Sequence, residues 1–103
     1  MARNWAMVVA AALLAAWISA AAAADAESGK RLSDASCAAC HGHNGIGIIP
    51  LYPNLAGQKR EYLVAQLHAF RDGTRKNPIM APMAAHLTDA EIEDVAEYLA
   101  TLR

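Results

Sequence analysis

The chain is poor in the side chains that build a core. Of 103 residues, one is phenylalanine, three are tyrosine and two are tryptophan. Both tryptophans, Trp5 and Trp17, fall in an opening block of 24 residues that is apolar except at Arg3, Asn4 and Ser19. The 55% apolar content of the whole chain therefore overstates its core. After the block the sequence is roughly 46% apolar, ordinary for a globular domain. Its only aromatics are Tyr52, Tyr62, Phe70 and Tyr98. A domain near the lower size limit for independent folding, with so few large side chains, needs a disulfide, a metal or a bound cofactor to complete it. Charge of one sign is also lacking: Lys and Arg number 9, Asp and Glu 10, for a net −1. That balance excludes nucleic acid as the main partner, because phosphate binding needs a basic excess. The length allows one domain. No strand alternation, repeat or low-complexity tract follows the block.

The block itself has the layout of a secretory signal. Arg3 precedes an apolar stretch over 5–18, and small residues follow, with Ala22–Ala23–Ala24 fitting the A-x-A pattern before Asp25. Residues 1–24 are read as a cleaved leader. The alternative is an uncleaved anchor, since Trp5 to Ala24 covers about the 20 residues that span a bilayer. Alanine is only weakly hydrophobic, and so many alanines at the end suit a peptidase better. In either case the domain, residues 25–103, faces an exported compartment, read as a bacterial periplasm. Membrane attachment is expected only if the leader is retained.

In that domain the spacing predicts an all-α fold of three main helices with long connections. The first runs from Ala26 to about Ser36, with Gly29, Leu32 and Ala35 or Ser36 on one side. A second begins near Gln58, with Tyr62, Leu63, Gln66, Leu67 and Phe70 at helical spacing and Gly73 as its stop. Residues 74–86 read as a loop around Asn77–Pro78, carrying Met80, Pro82 and Met83. Thr88 opens the last helix, and Glu91 completes a capping box. The buried stripe of this helix is Ile92, Val95, Ala96, Leu99 and Leu102, with Tyr98 beside it.

The only two cysteines are spaced C-x-x-C, as Cys37 and Cys40, with His41 immediately after. A redox dithiol of the thioredoxin type belongs in a βαβ pattern, which is absent from the sequence. A zinc site needs four ligands, and His68 or His86 stand at no recognisable zinc spacing. A disulfide across two residues closes too short a loop to stabilise the chain much. Covalent haem attachment uses all three residues in this order: two thioethers to the haem vinyl groups, and the histidine under the iron. Haem also supplies the supplement to the core that the composition demands.

With His41 as one axial ligand, the opposite ligand must come from elsewhere, as an imidazole or a thioether. The candidates are His43, His68, His86, Met80 and Met83. His43 is too near His41 to reach the far face. His68 sits within a helix and His86 just before another, where surface or capping roles account for them. Met80 and Met83 share the Pro-punctuated loop before the last helix, where gap-filling in the core is their other role.

Taken together, Cys37–Ala38–Ala39–Cys40–His41–Gly42, Tyr52–Pro53–Asn54–Leu55–Ala56–Gly57–Gln58, Asn77–Pro78–Ile79–Met80 and Leu87–Thr88–Asp89 resemble a class I cytochrome c. The likeness is to short bacterial monohaem members and to either half of related dihaem forms, and it covers Gly29 to Leu102. It implies a small cytochrome c fold with loops wrapped around one covalent haem c. It also implies crossed terminal helices and a distal Met eight residues before the Thr that opens the last helix. That residue is Met80, with Met83 as the alternative. The resemblance implies one-electron transfer by a monomer, through transient docking with redox proteins acting as donor and acceptor. No catalytic residue and no small-molecule substrate are expected. A haem-bearing subunit of a larger periplasmic oxidoreductase is the alternative. Tyr52, Leu55, Tyr62, Leu67 and Phe70 are expected to wall the haem. One departure is Ser33, where family members place an aromatic; Leu32 beside it is expected to meet Tyr98 instead.

Charge is sorted along the chain. Lys59, Arg60, Arg71, Arg75 and Lys76 outnumber Glu61 and Asp72, and then Asp89, Glu91, Glu93, Asp94 and Glu97 face only Arg103. One reading is two solvated helix faces. The other is a basic rim near Met80 that steers an acidic partner, with the last helix pointing away.

Overall fold

Asp25 starts the fold. In the computed structural model, which describes residues 23–103, its carboxylate caps helix α1 (Ala26–Ser36), accepting from Glu27 N at 3.0 Å and from Ser28 Oγ at 2.7 Å. The leader read over residues 1–24 lies outside the described residues except for Ala23 and Ala24. Cys37 closes α1 by donating to Ser33 O, and a single further turn, α2 (Ala38–His41), carries the rest of the C-x-x-C-H segment. Gly42, with φ of 79°, ends that turn in a conformation that glycine adopts readily.

The connection from Gly42 to Lys59 is irregular but closed on itself. Leu55 N and Ala56 N both donate to Gly45 O, at 2.7 and 3.0 Å, and Gly47 N donates to Asn54 Oδ1 at 2.9 Å. Helix α3 (Arg60–Asp72) follows, two residues later than the spacing predicts, and stops at Gly73 in the left-handed conformation.

Residues 74–86 do not form the continuous loop expected. Met80–Ala85 form a short helix, α4. Asn77 Oδ1 accepts from Ile79 N and Met80 N, each at 2.9 Å, and starts the helix. Pro82 falls in its first turn, where a missing N–H breaks no helical bond, so this proline permits the helix it seemed to interrupt. Helix α5 (Asp89–Thr101) begins with the predicted capping box between Thr88 and Glu91.

Helices α1 and α5 cross in close contact, and α3 packs on both α4 and α5. Leu63, Val95, Ala96, Tyr98 and Leu99 form the main buried cluster, flanked by Ala26, Leu32, Leu55, Val64, Leu67 and Leu102. Leu32 therefore joins the cluster that holds Tyr98, as expected, while Ser33 is fully buried beneath the crossing. Gly29 lies against α5 so closely that a Cβ there would run into the Asp94 carbonyl. Among the described residues there is no strand, and no helix is long and apolar enough to cross a membrane.

Candidate functional site

The join of α1 to α2 puts Cys37, Cys40 and His41 on one turn. Both cysteines are half-buried free thiols. Burial pushes the Cys37 thiol above its ordinary value, partly offset by a hydrogen bond with Ser33. Catalytic dithiols of the thioredoxin type belong in a βαβ unit, and among the described residues there is no strand, so the redox-dithiol reading fails on fold.

His41 is 7% exposed. Its Nδ1 lies 2.8 Å from the Pro53 carbonyl. A carbonyl only accepts, so Nδ1 carries the proton, and the lone pair of the imidazole is on Nε2. A buried histidine whose ring is oriented by a backbone carbonyl through one nitrogen, leaving the other basic, has the arrangement of a metal-ligating histidine. Pro53 is held by the closed 45–56 connection, and Ile48 N donates to Cys40 O at 3.0 Å, tying the same connection to the cysteine turn. Tyr98 Oη donates to His43 O at 3.3 Å, which anchors the segment to α5. The role of Pro53 carries no signal in composition or spacing, because a backbone carbonyl leaves no mark on the sequence.

Met80 is the first residue of α4 and half-buried, whereas Met83, one turn on, is 44% exposed. The histidines considered as alternatives are otherwise engaged. His43 meets Asp34 Oδ1 at 3.1 Å on the surface, His68 Nδ1 accepts from Arg71 Nη2 at 2.9 Å, and exposed His86 ends α4. Among the described residues no cluster of His, Cys, Asp and Glu suits a metal ion held by side chains of those types alone.

Seven large apolar side chains are exposed among the described residues. Ile46, Ile48, Ile49 and Leu51 are exposed in the connection that follows His41, and Tyr62, Ile79 and Met83 are exposed on and beside α3 and α4. Tyr52 and Pro53 border an open hollow of about 410 Å³ with Gly47 to Pro50. Of the residues expected to wall a haem, Phe70 is buried under the Arg75 guanidinium, 4.5 Å from its ring centroid, and Leu55 and Leu67 pack on the core cluster. Two thiols and an oriented imidazole on one turn, with a half-buried thioether at the start of α4, are a donor set whose chemistry fits a covalently attached haem.

The expected basic rim is not there in full. Helix α5 does not point away from the basic residues of α3. Arg60 pairs with both Glu93 and Glu97, and Arg71 with Asp89. Asp94 accepts from Asp25 N at 2.8 Å, and Glu91 is used in the capping box. Two of the five basic residues, Arg60 and Arg71, are thus neutralised by α5.

A family model described as cytochrome c matches residues 26–103. Cytochrome c-554(548) of Halomonas halodenitrificans is 48% identical over 66 residues, covering 61% of this chain and 80% of that protein. A thiosulfate dehydrogenase electron acceptor of Stutzerimonas stutzeri is 48% identical over 69 residues, covering 64% of this chain and 32% of its own length. A solved cytochrome c4 of Acidithiobacillus ferrooxidans superimposes with a TM-score of 0.73 at 38% identity, over 82% of this chain and 53% of that one. The chain thus spans most of the first relative, about a third of the second and about half of the third.

Proposed function

The chain belongs to the cytochrome c family, whose prosthetic group is covalent haem c, and from that premise we propose that it is a periplasmic one-electron carrier with His41 and Met80 as axial ligands. The observation that carries the reading is the His41–Pro53 hydrogen bond, which turns a buried imidazole into an oriented ligand. Cys37 and Cys40 would hold the group through thioethers, His41 Nε2 would bind the iron, and Met80 Sδ would take the other axial position. The half-burial of Met80 against the exposure of Met83 favours the first of the two methionines.

When bound, haem supplies reversible one-electron chemistry at its iron. The chain's residues fix how that chemistry is used. Two protein ligands would leave no open position for oxygen or peroxide, and a thioether ligand would raise the reduction potential by favouring the ferrous state. The Pro53 carbonyl holds the ring of His41, which would limit rearrangement when the group gains or loses an electron. No acid, base or nucleophile is needed, in keeping with an electron-transfer protein rather than an enzyme.

Redox proteins are the partners. The Stutzerimonas stutzeri relative, named as an electron acceptor for a dehydrogenase, supports a dehydrogenase as donor. Docking is brief and uses the exposed apolar residues 46–51 more than charge. The leader is removed before Asp25, leaving a monomeric domain.

The ligand reading is tested by the weak far-red band of the ferric holoprotein that marks a thioether on iron. Met80→Ala is expected to abolish it and Met83→Ala to retain it. The opposite pattern overturns the assignment. Size-exclusion chromatography of a native extract tests the free carrier, which elutes as a small protein. Elution in a large complex supports a fixed subunit of a larger oxidoreductase instead.

A further inference from the structure

Helix α4 packs on α3, but of its six residues only Ala84 is fully buried. Polar side chains pin its two ends. At the start, Asn77 Oδ1 holds the amides of Ile79 and Met80. At the far end the chain runs through His86 and Leu87 to the α5 cap, and Arg71 reaches there from the last turn of α3. Its Nη1 donates to Leu87 O at 3.1 Å. Its Nη2 donates to His68 Nδ1 at 2.9 Å and pairs with Asp89 Oδ1 at 2.6 Å. The Arg71 side chain is only 24% exposed.

Each arm of this guanidinium has a distinct effect. The His68 bond, within α3, orients the planar group. The Leu87 bond acts on α4 directly, because Leu87 N in turn donates to Ala84 O at 3.1 Å. The Asp89 pair fixes the first residue of α5 in the same place. Lysine, with a point charge, cannot serve three acceptors in this fixed plane.

We propose that Arg71 is a positioning residue for Met80, holding the end of α4 so that the thioether stays on the iron. The proposal rests on the reading of Met80 as a ligand. Arg60 provides an internal comparison: it also lies on α3 and pairs with two carboxylates of α5, but Glu93 and Glu97 stand further along that helix, away from the α4 junction.

The test is titration of the ferric holoprotein with imidazole, which competes for the distal position, followed through the far-red band. Loss of hydrogen bonds to a charged group at the junction is expected to raise imidazole affinity about tenfold in Arg71→Gln. Arg71→Lys should recover part of that change. Arg60→Gln should stay within about twofold of the parent while lowering the unfolding midpoint, as expected for an ion pair remote from the ligand. Should Arg71→Gln not yield holoprotein, Asp89→Asn, which removes one exposed arm, is expected to raise imidazole affinity in the same direction.

Arg71→Gln or Asp89→Asn behaving like Arg60→Gln overturns the positioning role. Retention of the band in Met80→Ala overturns the ligand reading beneath it, and the assignment of Arg71 to Met80 falls too. Loss of the band in Met80→Ala, with imidazole affinity unchanged in Arg71→Gln, overturns the positioning role alone.

Discussion

Gly29 of α1 rests directly on the Asp94 carbonyl of α5, with no space between them for a Cβ. The crossing of the terminal helices is set at this point. Gly29→Ala is expected to push the helices apart and cost about 2–3 kcal/mol, the scale of overpacking in a tight interior. Urea unfolding of the holoprotein measures it, and a variant as stable as the parent contradicts the close approach.

Partner association should depend weakly on salt. Arg60 and Arg71 are neutralised within the fold, and Leu51 stands 74% exposed beside Ile48 and Ile49. The rate of electron exchange with a dehydrogenase donor is expected to change less than about threefold between low salt and about 150 mM. Leu51→Ser should slow it by about tenfold, as for a central apolar contact, and Lys76→Gln far less. A steep salt dependence restores the basic-rim picture.

Acid stability follows from three carboxylates. Asp89 is held below the usual carboxylate value by its hydrogen bond with Arg71, Asp34 by those with Lys30 and then His43, and Asp25 by that with Ser28. A carboxyl lowered in the folded state stabilises fully above its unfolded value near 3.8, and the benefit is lost as pH falls through the lower folded value. Thermal unfolding of the holoprotein should therefore weaken below about pH 4, and Asp89→Asn should flatten part of that slope. An unchanged slope in the variant removes Asp89 from this account.

Removal of the leader should itself strengthen the fold. Asp25 N donates to Asp94 Oδ1 at 2.8 Å. If cleavage falls before Asp25, that amide becomes an ammonium and the hydrogen bond becomes an ion pair between α1 and α5. An α-amino group ordinarily loses its proton near about 7.7–8.0, so the ion pair is present below that range and lost above it. A domain starting at Asp25 should melt higher at about pH 6 than one keeping Ala24, and the gap should close by about pH 10. Equal melting at both pH values contradicts the pair.

Helix α5 was legible because its signals are local: a Thr88–Glu91 capping box and apolar residues spaced for one face. The C-x-x-C-H segment was legible because adjacency alone carries its chemistry. Helix α4 was hidden by Pro82, which reads as an interruption until its place in a first turn is known, and by pins from Asn77 and Arg71 whose targets no periodicity reveals. The inner face of α1 was read as Gly29, Leu32 and Ala35 or Ser36; Gly29 is buried and Leu32 packs on the core, but Ala35 and Ser36 are exposed and Ser33 is buried instead. That choice depends on where α5 crosses. The charge blocks misled for a related reason: position along the chain does not show that Arg60 and Arg71 fold back onto α5.

The slender hold of α4 on the core gives the molecule two stabilities rather than one. Its amides are expected to exchange with solvent faster than those of the crossed α1 and α5, as hydrogen exchange of the holoprotein would show. A ligand carried on such an element would depend for its place on a few side-chain hydrogen bonds.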